Sequence, residues 1–477
     1  VKLNWTMTTA IWAFFCLLNL GATGYAIVQG QGFPVVAMFV VSLFSLMVMR
    51  AKVTDIQIEN VSVWMVVTVF VLFYFARYPL LSENPLPAIA THPNSISNLF
   101  RDGGVGLKDA LYASTFSFFV FSMFFALFYV VFRSNEKENK YSSCSRSEHI
   151  SVQILLITTP LLMLLLAAVA YNYKIGQMGV DPGEPLPFRL KGLIFYSRLV
   201  VLPLMILAII NFGCRLDRRD FICIGIILLA MHGISDVFIR VSRSSMLLCI
   251  LLLVFLVVSG GLRLKRLFVI ATVVVVILSI ISMPLVIEVR RILIHEDGTS
   301  IFNTLYKVLF LRDNNFVDLF LTGVSTLYFR IPGIETMWAI SNSNFPPLWE
   351  ELQTVLVSPH GMAGYLTFTL YRIAPVEYVL FAPGFVGWWY LAGGYVGIAI
   401  GAVVLACVCV VLPRYFSRMA TGNGPLFNTF FLWVLFLCLT DGALDSNFLL
   451  VAVGTVFLVV GNFIFARLLN LNRQKRD

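Results

Sequence analysis

The chain is 477 residues long, 59% hydrophobic and only 12% charged, with a formal net charge of +9. The surface of a soluble domain needs more charge than this, so a water-soluble fold is excluded. No basic soluble region exists to hold nucleic acid, and the positive balance reads as cytoplasmic loop bias and contact with anionic membrane lipids.

The apolar runs are about 20 residues long, which suits membrane-crossing helices rather than barrel strands. The sequence therefore predicts an all-α polytopic membrane protein. In chain order the predicted spans are 8–29, 33–49, 61–80, 109–132, 151–173, 192–213, 221–239, 244–261, 267–289, 384–412, 426–440 and 446–466. The first run is preceded only by Lys2 and has no convincing cleavage site, so it reads as a retained helix. The chain then divides into residues 1–289 with spans one to nine, a large external loop at 290–383, and 384–477 with the last three spans and a tail.

The connecting segments sort by charge. Residues 133–150, 214–220, 262–266, 413–419 and the tail 467–477 are short and basic, whereas 81–108, 174–191 and 290–383 carry more acid, proline and glycine. The positive-inside rule puts the basic set and both termini in the cytoplasm, and an even number of spans agrees. Within the large loop, "SIFNTLYKVLFL" and "FVDLFLTGVSTLYF" space their apolar residues as short amphipathic helices that lie on the outer membrane face or re-enter it.

The chain contains no Walker A pattern, no DxD, no HxxxE and no cysteine pair with metal spacing. No cofactor or metal is expected. The eight cysteines lie in apolar segments or cytoplasmic loops and make no disulfide framework.

Charge inside the apolar segments needs a reason, because at membrane depth it costs about 2.5–3.5 kcal/mol on insertion scales. Arg77 and Arg198 sit within spans near the predicted outer end, Arg240 and Arg243 at the next outer turn, Arg290 and Arg291 at the start of the large loop, and Arg330 and Arg372 within it. Two readings stand side by side. Arg77 and Arg198 can snorkel or pair with an acid, and Asp236 can latch Arg240 and Arg243. Alternatively these arginines form an anion-binding group at the face where topology does not require them. A guanidinium grips phosphate with two parallel hydrogen bonds and stays charged at every relevant pH, so a lipid-linked phosphate or pyrophosphate is the natural ligand. His360 is either structural or a general base for a sugar hydroxyl. Asp441 and Asp445 either cap the turn between the last two spans, pair with an arginine, or serve as the base.

The segment "APGFVGWWYLAGGYVGIAIGAVVLACVCVV", with its P-G-x-x-G-x-x-Y-x-x-x-G-x-x-G spacing after a large external loop, resembles the C-terminal part of bacterial O-antigen polymerases (Wzy-type) and their oligosaccharide repeat-unit polymerase relatives. "RVSRSSMLLCILLLVFLVV" is similar to a recurrent stretch of that family, and the architecture agrees over nearly the full chain. The resemblance implies a metal-independent glycosyl transfer at the periplasmic face of a bacterial inner membrane. Both substrates would be oligosaccharides on undecaprenyl pyrophosphate, with membrane lipids, a chain-length regulator and a flippase as implied partners. Arg243, Arg291, Arg372 and His360 become the catalytic candidates. Arg77, Arg198, Arg240, Arg290, Arg330, Asp236, Asp441 and Asp445 become the substrate-binding ones. The related ligases carry Asn after the loop histidine, whereas Gly361 follows His360 here, which favours polymerase over ligase. A flippase or transporter of the same lipid would show two related halves, and no such repeat is present.

Overall fold

The computed structural model describes residues 5–53, 60–85, 105–132, 146–175, 190–240, 244–259, 316–331, 333–343, 352–357, 361–372, 382–417, 423–440 and 448–474, with the isolated positions Phe100, Ile277, Ile280, Ile281, Pro284, Val289, Leu348 and Gly442. Among the described residues every regular element is helical. Among these residues eight helices are long and apolar enough to cross a membrane, and three shorter apolar ones lie at 248–258, 424–440 and 450–463. Their outward faces stay uncovered: Leu161, Leu164 and Leu165 are 60–64% exposed, as are Leu17 and Phe33 at 66% and 82%. Only a hydrocarbon surround removes that much apolar area from water, so the protein is membrane-embedded. The predicted span at 267–289 lies largely outside the described residues.

Contacts gather the chain into two units. The first comprises Val1–Glu138, Tyr328–Ser417 and Val434–Phe448. It opens with α1 (Trp5–Val28) and α2 (Phe33–Lys52). These run antiparallel, as the pairing of Asn19 with Ser42 (2.6 Å) and of Arg50 with Thr9 (3.4 Å) requires. The third span, α3 (Val61–Glu83), contains a π-helical stretch at Phe70–Phe75. At the centre stands α4 (Val105–Val131), packed against α2 and against two later helices. Its buried face carries Gly106, Ala110, Ala113, Ser114 and Ser117, small residues that let neighbouring backbones approach closely in lipid.

The second unit comprises Asn139–Leu327, Arg418–Trp433 and Leu449–Asp477. It holds α5 (Arg146–Asn172), α6 (Leu190–Arg215), α7 (Arg219–Arg240) and α8 (Ser244–Val258). Here α6 is central, touching α5, α7 and α8. A second π turn, Ser197–Val201, interrupts α6 just before Pro203, which has no N–H to give to the preceding turn. Residues up to Leu327 of α9 (Phe316–Arg330) also belong to this unit, and its last three residues belong to the first.

Within 290–383, the predicted large loop, "SIFNTLYKVLFL" lies outside the described residues, "FVDLFLTGVSTLYF" lies in α9, and further short helices follow. One of them, α10 (Ile334–Asn342), is not a surface helix: Ile334 through Ile340 are all buried. It lies against α3 and α4, and a Cβ on Gly106 would collide with the Asn342 side chain. After α11 (Leu352–Val357) comes α12 (Gly361–Gly364), which passes directly into a third π turn, Tyr365–Leu370.

The stretch that opens the tenth predicted span corrects its outline. At about 1.5 Å per residue, an unbroken helix over the 33 residues from Gly384 to Phe416 would be about 50 Å long, well beyond a hydrocarbon core of about 30 Å. In fact α13 (Gly384–Ser417) is broken at Gly393 and Gly394, and Gly394 (φ 58°, ψ −144°) adopts a conformation closed to other residues. The first segment folds back on the second. Trp389 lies against Gly397 and Gly401, which share one helix face. Beside the break, the Leu391 carbonyl accepts the backbone N–H of Leu348 at 2.9 Å. α14 (Gly424–Thr440) and α15 (Phe448–Gln474) complete the chain.

Candidate functional site: arginines beside π turns

Three π-helical stretches occur among the described residues, at Phe70–Phe75, Ser197–Val201 and Tyr365–Leu370. Each has one of the predicted arginines in or just after it: Arg77, Arg198 and Arg372. A π turn carries one extra residue and re-aims the side chains within it, and such turns concentrate at functional positions.

Arg77 is fully buried in the first unit. Its guanidinium forms a salt bridge with Glu335 of α10 and donates to the carbonyl of Ile331 at 2.9 Å. The rings of Phe73 and Tyr328 lie 4.8 and 4.5 Å from its carbon centre, so cation–π attraction supplements the charge pair. Tyr328 in turn donates its hydroxyl to the Leu72 carbonyl inside the π turn, at 2.9 Å. The chain entering α10 passes so near that a Cβ on Gly333 would lie 2.8 Å from the guanidinium. The predicted acid partner thus exists, and it is Glu335, a residue the sequence reading did not select. Its signal was available: "GIETMWAISN" holds one acid in an otherwise uncharged stretch that is too apolar to sit in water.

In the second unit Arg198 pairs with Asp236 of α7, both almost completely buried. Asp236 shares a face of α7 with His232, one turn earlier and also buried. The sequence reading offered Asp236 to Arg240 and Arg243, whereas its described partner is Arg198. Asp236→Asn keeps the shape but removes the carboxylate charge, and is expected to cost about 1.5–3 kcal/mol, the worth of a hydrogen bond to a charged group. Thermal melting of the purified protein in detergent measures this, and an unchanged midpoint would rule out a stabilising pair.

Arg372 differs from both. It is exposed and stands in the left-handed region at φ 53°, which a non-glycine residue seldom adopts. The preceding Tyr371 is buried and closes the π turn through its N–H to the Leu366 carbonyl, 2.9 Å. Burial first, and the nearby Glu335 second, push the Tyr371 hydroxyl above the ordinary tyrosine range, so it remains a proton donor at neutral pH. Tyr371 therefore fixes the end of the π turn while Arg372 faces outward.

The backbones of Arg240 and Arg330 close α7 and α9. Their side chains, together with Arg243, Arg290, Arg291, His360, Asp441 and Asp445, lie outside the described residues. Among the described residues no group of three or more His, Cys, Asp or Glu is placed to hold a metal ion. Compared with family models, with curated proteins and with solved structures, the chain finds no match in any of the three.

Proposed function

We propose that this protein polymerises undecaprenyl-pyrophosphate-linked oligosaccharide repeat units into O-antigen or a related surface polysaccharide, at the periplasmic face of a bacterial inner membrane. About twelve spans, cytoplasmic termini and a periplasmic loop over 290–383 belong to this reading. Its supports are the motif resemblance around Pro383–Gly397, the all-helical membrane architecture, and the outward-facing arginine at the end of a buried turn.

In the proposed reaction, a hydroxyl of the lipid-linked acceptor unit attacks the anomeric carbon of the donor chain. The new glycosidic bond forms as the sugar–pyrophosphate bond breaks, and undecaprenyl pyrophosphate leaves with the bonding electron pair. The hydroxyl proton passes to a base, for which His360 is the candidate. Arginines stabilise the charge that develops on the leaving pyrophosphate, a role that needs no metal, and hold the headgroups in line.

We assign the arginines two roles. Arg77 and Arg198 face carboxylates inside the helix packing and serve as scaffold. The phosphate-binding role falls to Arg372, with Arg240, Arg243, Arg290, Arg291 and Arg330. The observation that carries this is Arg372, exposed and in a left-handed backbone directly after the buried Tyr371.

Arg372→Ala is expected to lower polymerisation about 10²–10³-fold, the usual loss when one charge-stabilising donor is removed. Arg372→Lys recovers little, because lysine lacks the planar fork. The test is surface lipopolysaccharide from a deletion strain carrying each variant, with membrane protein levels matched. A single repeat unit capping the core supports polymerisation. Absence of any capped product, with polymer accumulating on the carrier lipid, identifies a ligase instead. Substrate retained on the cytoplasmic leaflet identifies a flippase.

A further inference from the structure

A group of side chains apart from the arginines gathers where α4 faces the break in α13. Asp109, Tyr112 and Phe116 are spaced by three and four residues and form one stripe along α4. Asp109 is exposed, Tyr112 is half-buried, and Tyr395 is 46% exposed. In a continuous helix, Tyr390 and Tyr395 would point about 140° apart. The break at Gly393–Gly394 brings them together instead, with ring centroids 5.9 Å apart and planes at 87°. Tyr395 also meets Phe116 at 5.7 Å, which joins the two helices into one aromatic wall. Asp109 lies close enough to act electrostatically on Tyr112, Tyr390 and Tyr395 alike.

We infer that Asp109, Tyr112, Tyr390 and Tyr395 form a saccharide-binding subsite, in which the rings cover the apolar face of a sugar and the carboxylate accepts hydrogen bonds from its hydroxyls. Tyrosine suits this task because its body is apolar and its tip polar, and it loses little rotamer freedom on contact. An ionised carboxylate accepts several hydrogen bonds at once. The same carboxylate repels phosphate, so the group does not suit a pyrophosphate or an anionic lipid headgroup. Membrane-interface tyrosines anchor a span at the headgroup level and need no such acid beside them. The feature that distinguishes this cluster is the glycine break, which turns two tyrosines from opposite sides of a helix towards each other. The inference rests on the polymerase reading only for which sugar arrives: an oligosaccharide repeat unit, on the proposed periplasmic side.

The experiment uses the purified full chain in nanodiscs. Its probes are the oligosaccharide released by mild acid from the producing cell's lipid carrier and, separately, undecaprenyl pyrophosphate bearing no sugar. Fluorescence of Trp388 and Trp389, which neighbour Tyr390, reports binding. The wild type is expected to bind the free oligosaccharide saturably. Asp109→Asn and Tyr395→Ala weaken that binding at least ten-fold, and Tyr395→Phe, which keeps the ring, weakens it far less. The sugar-free lipid does not compete. In a reconstituted assay the same two variants raise KM for the lipid-linked unit and leave kcat near wild type, which a loss of folding would not do. No binding by the wild type, or equal affinity in Asp109→Asn and Tyr395→Ala, overturns the subsite. Saccharide binding that depends on these residues, in a protein that makes no polymer, leaves the subsite standing and removes the polymerase reading. Polymerisation with unchanged KM in both variants does the opposite.

Discussion

Arg77→Ala is expected to cost about 3–5 kcal/mol of stability, because it leaves Glu335 as an unpaired buried charge. Arg77 is fully buried and Glu335 is 1% exposed, so water cannot reach in to solvate the survivor. The carbonyl of Ile331 and the rings of Phe73 and Tyr328 lose their cation in the same step. The expected result is a protein that inserts in the membrane but melts early or is cleared by proteases. Pairing Arg77→Met with Glu335→Met removes both charges and keeps most of the volume. Such replacements of a buried pair are often neutral or stabilising by about 1–4 kcal/mol, so the double variant should melt near the wild type. Thermal melting of the three proteins in one detergent checks both statements. If the single variant melts like the wild type, the buried pair contributes nothing. The stable double variant also separates two roles: full polymerisation in it makes the pair a fold element only, and loss of polymerisation with an intact melt makes it a positioning element for α10 and Tyr371.

The break in α13 should be nearly as sensitive. Gly394→Ala places a side chain in a backbone region open only to glycine, at a cost of about 1–3 kcal/mol. Gly397→Ala drives a methyl group into the Trp389 carbonyl, a backbone atom that cannot rotate aside. Both substitutions favour a straighter helix, and a straighter helix withdraws the Leu391 carbonyl from Leu348. Cysteines at positions 348 and 391, in a background with the native cysteines replaced, report this directly. They should cross-link on mild oxidation in the wild-type backbone and fail to do so once alanine is added at 394. Cross-linking at wild-type yield in Gly394→Ala would mean that the fold-back does not depend on glycine.

Much of the membrane architecture was legible in the sequence, because hydropathy and length decide which segments enter lipid. The charged residues were legible too, since each stands out against apolar neighbours. Their partners were not. Arg77 and Glu335 are 258 residues apart in the chain, and only the packing of α10 against α3 and α4 brings them together. The break in α13 left a visible trace, a predicted span of 384–412 that is too long for the bilayer, and the adjacent glycines marked where it divides. The π turns left none: "FVLFYF" is apolar throughout and carries no period that would distinguish a wide turn from an ordinary one. Asp109 was hidden for another reason, because an acid at the end of a span reads as solvated until Tyr390 and Tyr395 are seen beside it.

A π turn carries the equivalent of one inserted residue without shifting the rest of its helix. At Phe70–Phe75 the backbone bond from Ala76 N–H to the Val71 carbonyl spans five positions, at 2.8 Å. Deleting a single apolar residue there would let the span close up as an ordinary helix of almost the same length and hydropathy, so insertion into the membrane would be unaffected. Because the turn absorbs its extra residue locally, everything after the deletion would keep its facing and Arg77 would stay opposite Glu335, while the side chains of the turn itself would be re-aimed. The three such turns among the described residues are therefore places where a span of this chain can lose one residue and keep its register. A relative can therefore keep these arginines in the same places with or without the extra residues. A one-residue gap inside one of these turns would leave the arginine after it on the same face, whereas a gap elsewhere in the same span would turn that arginine by about 100°.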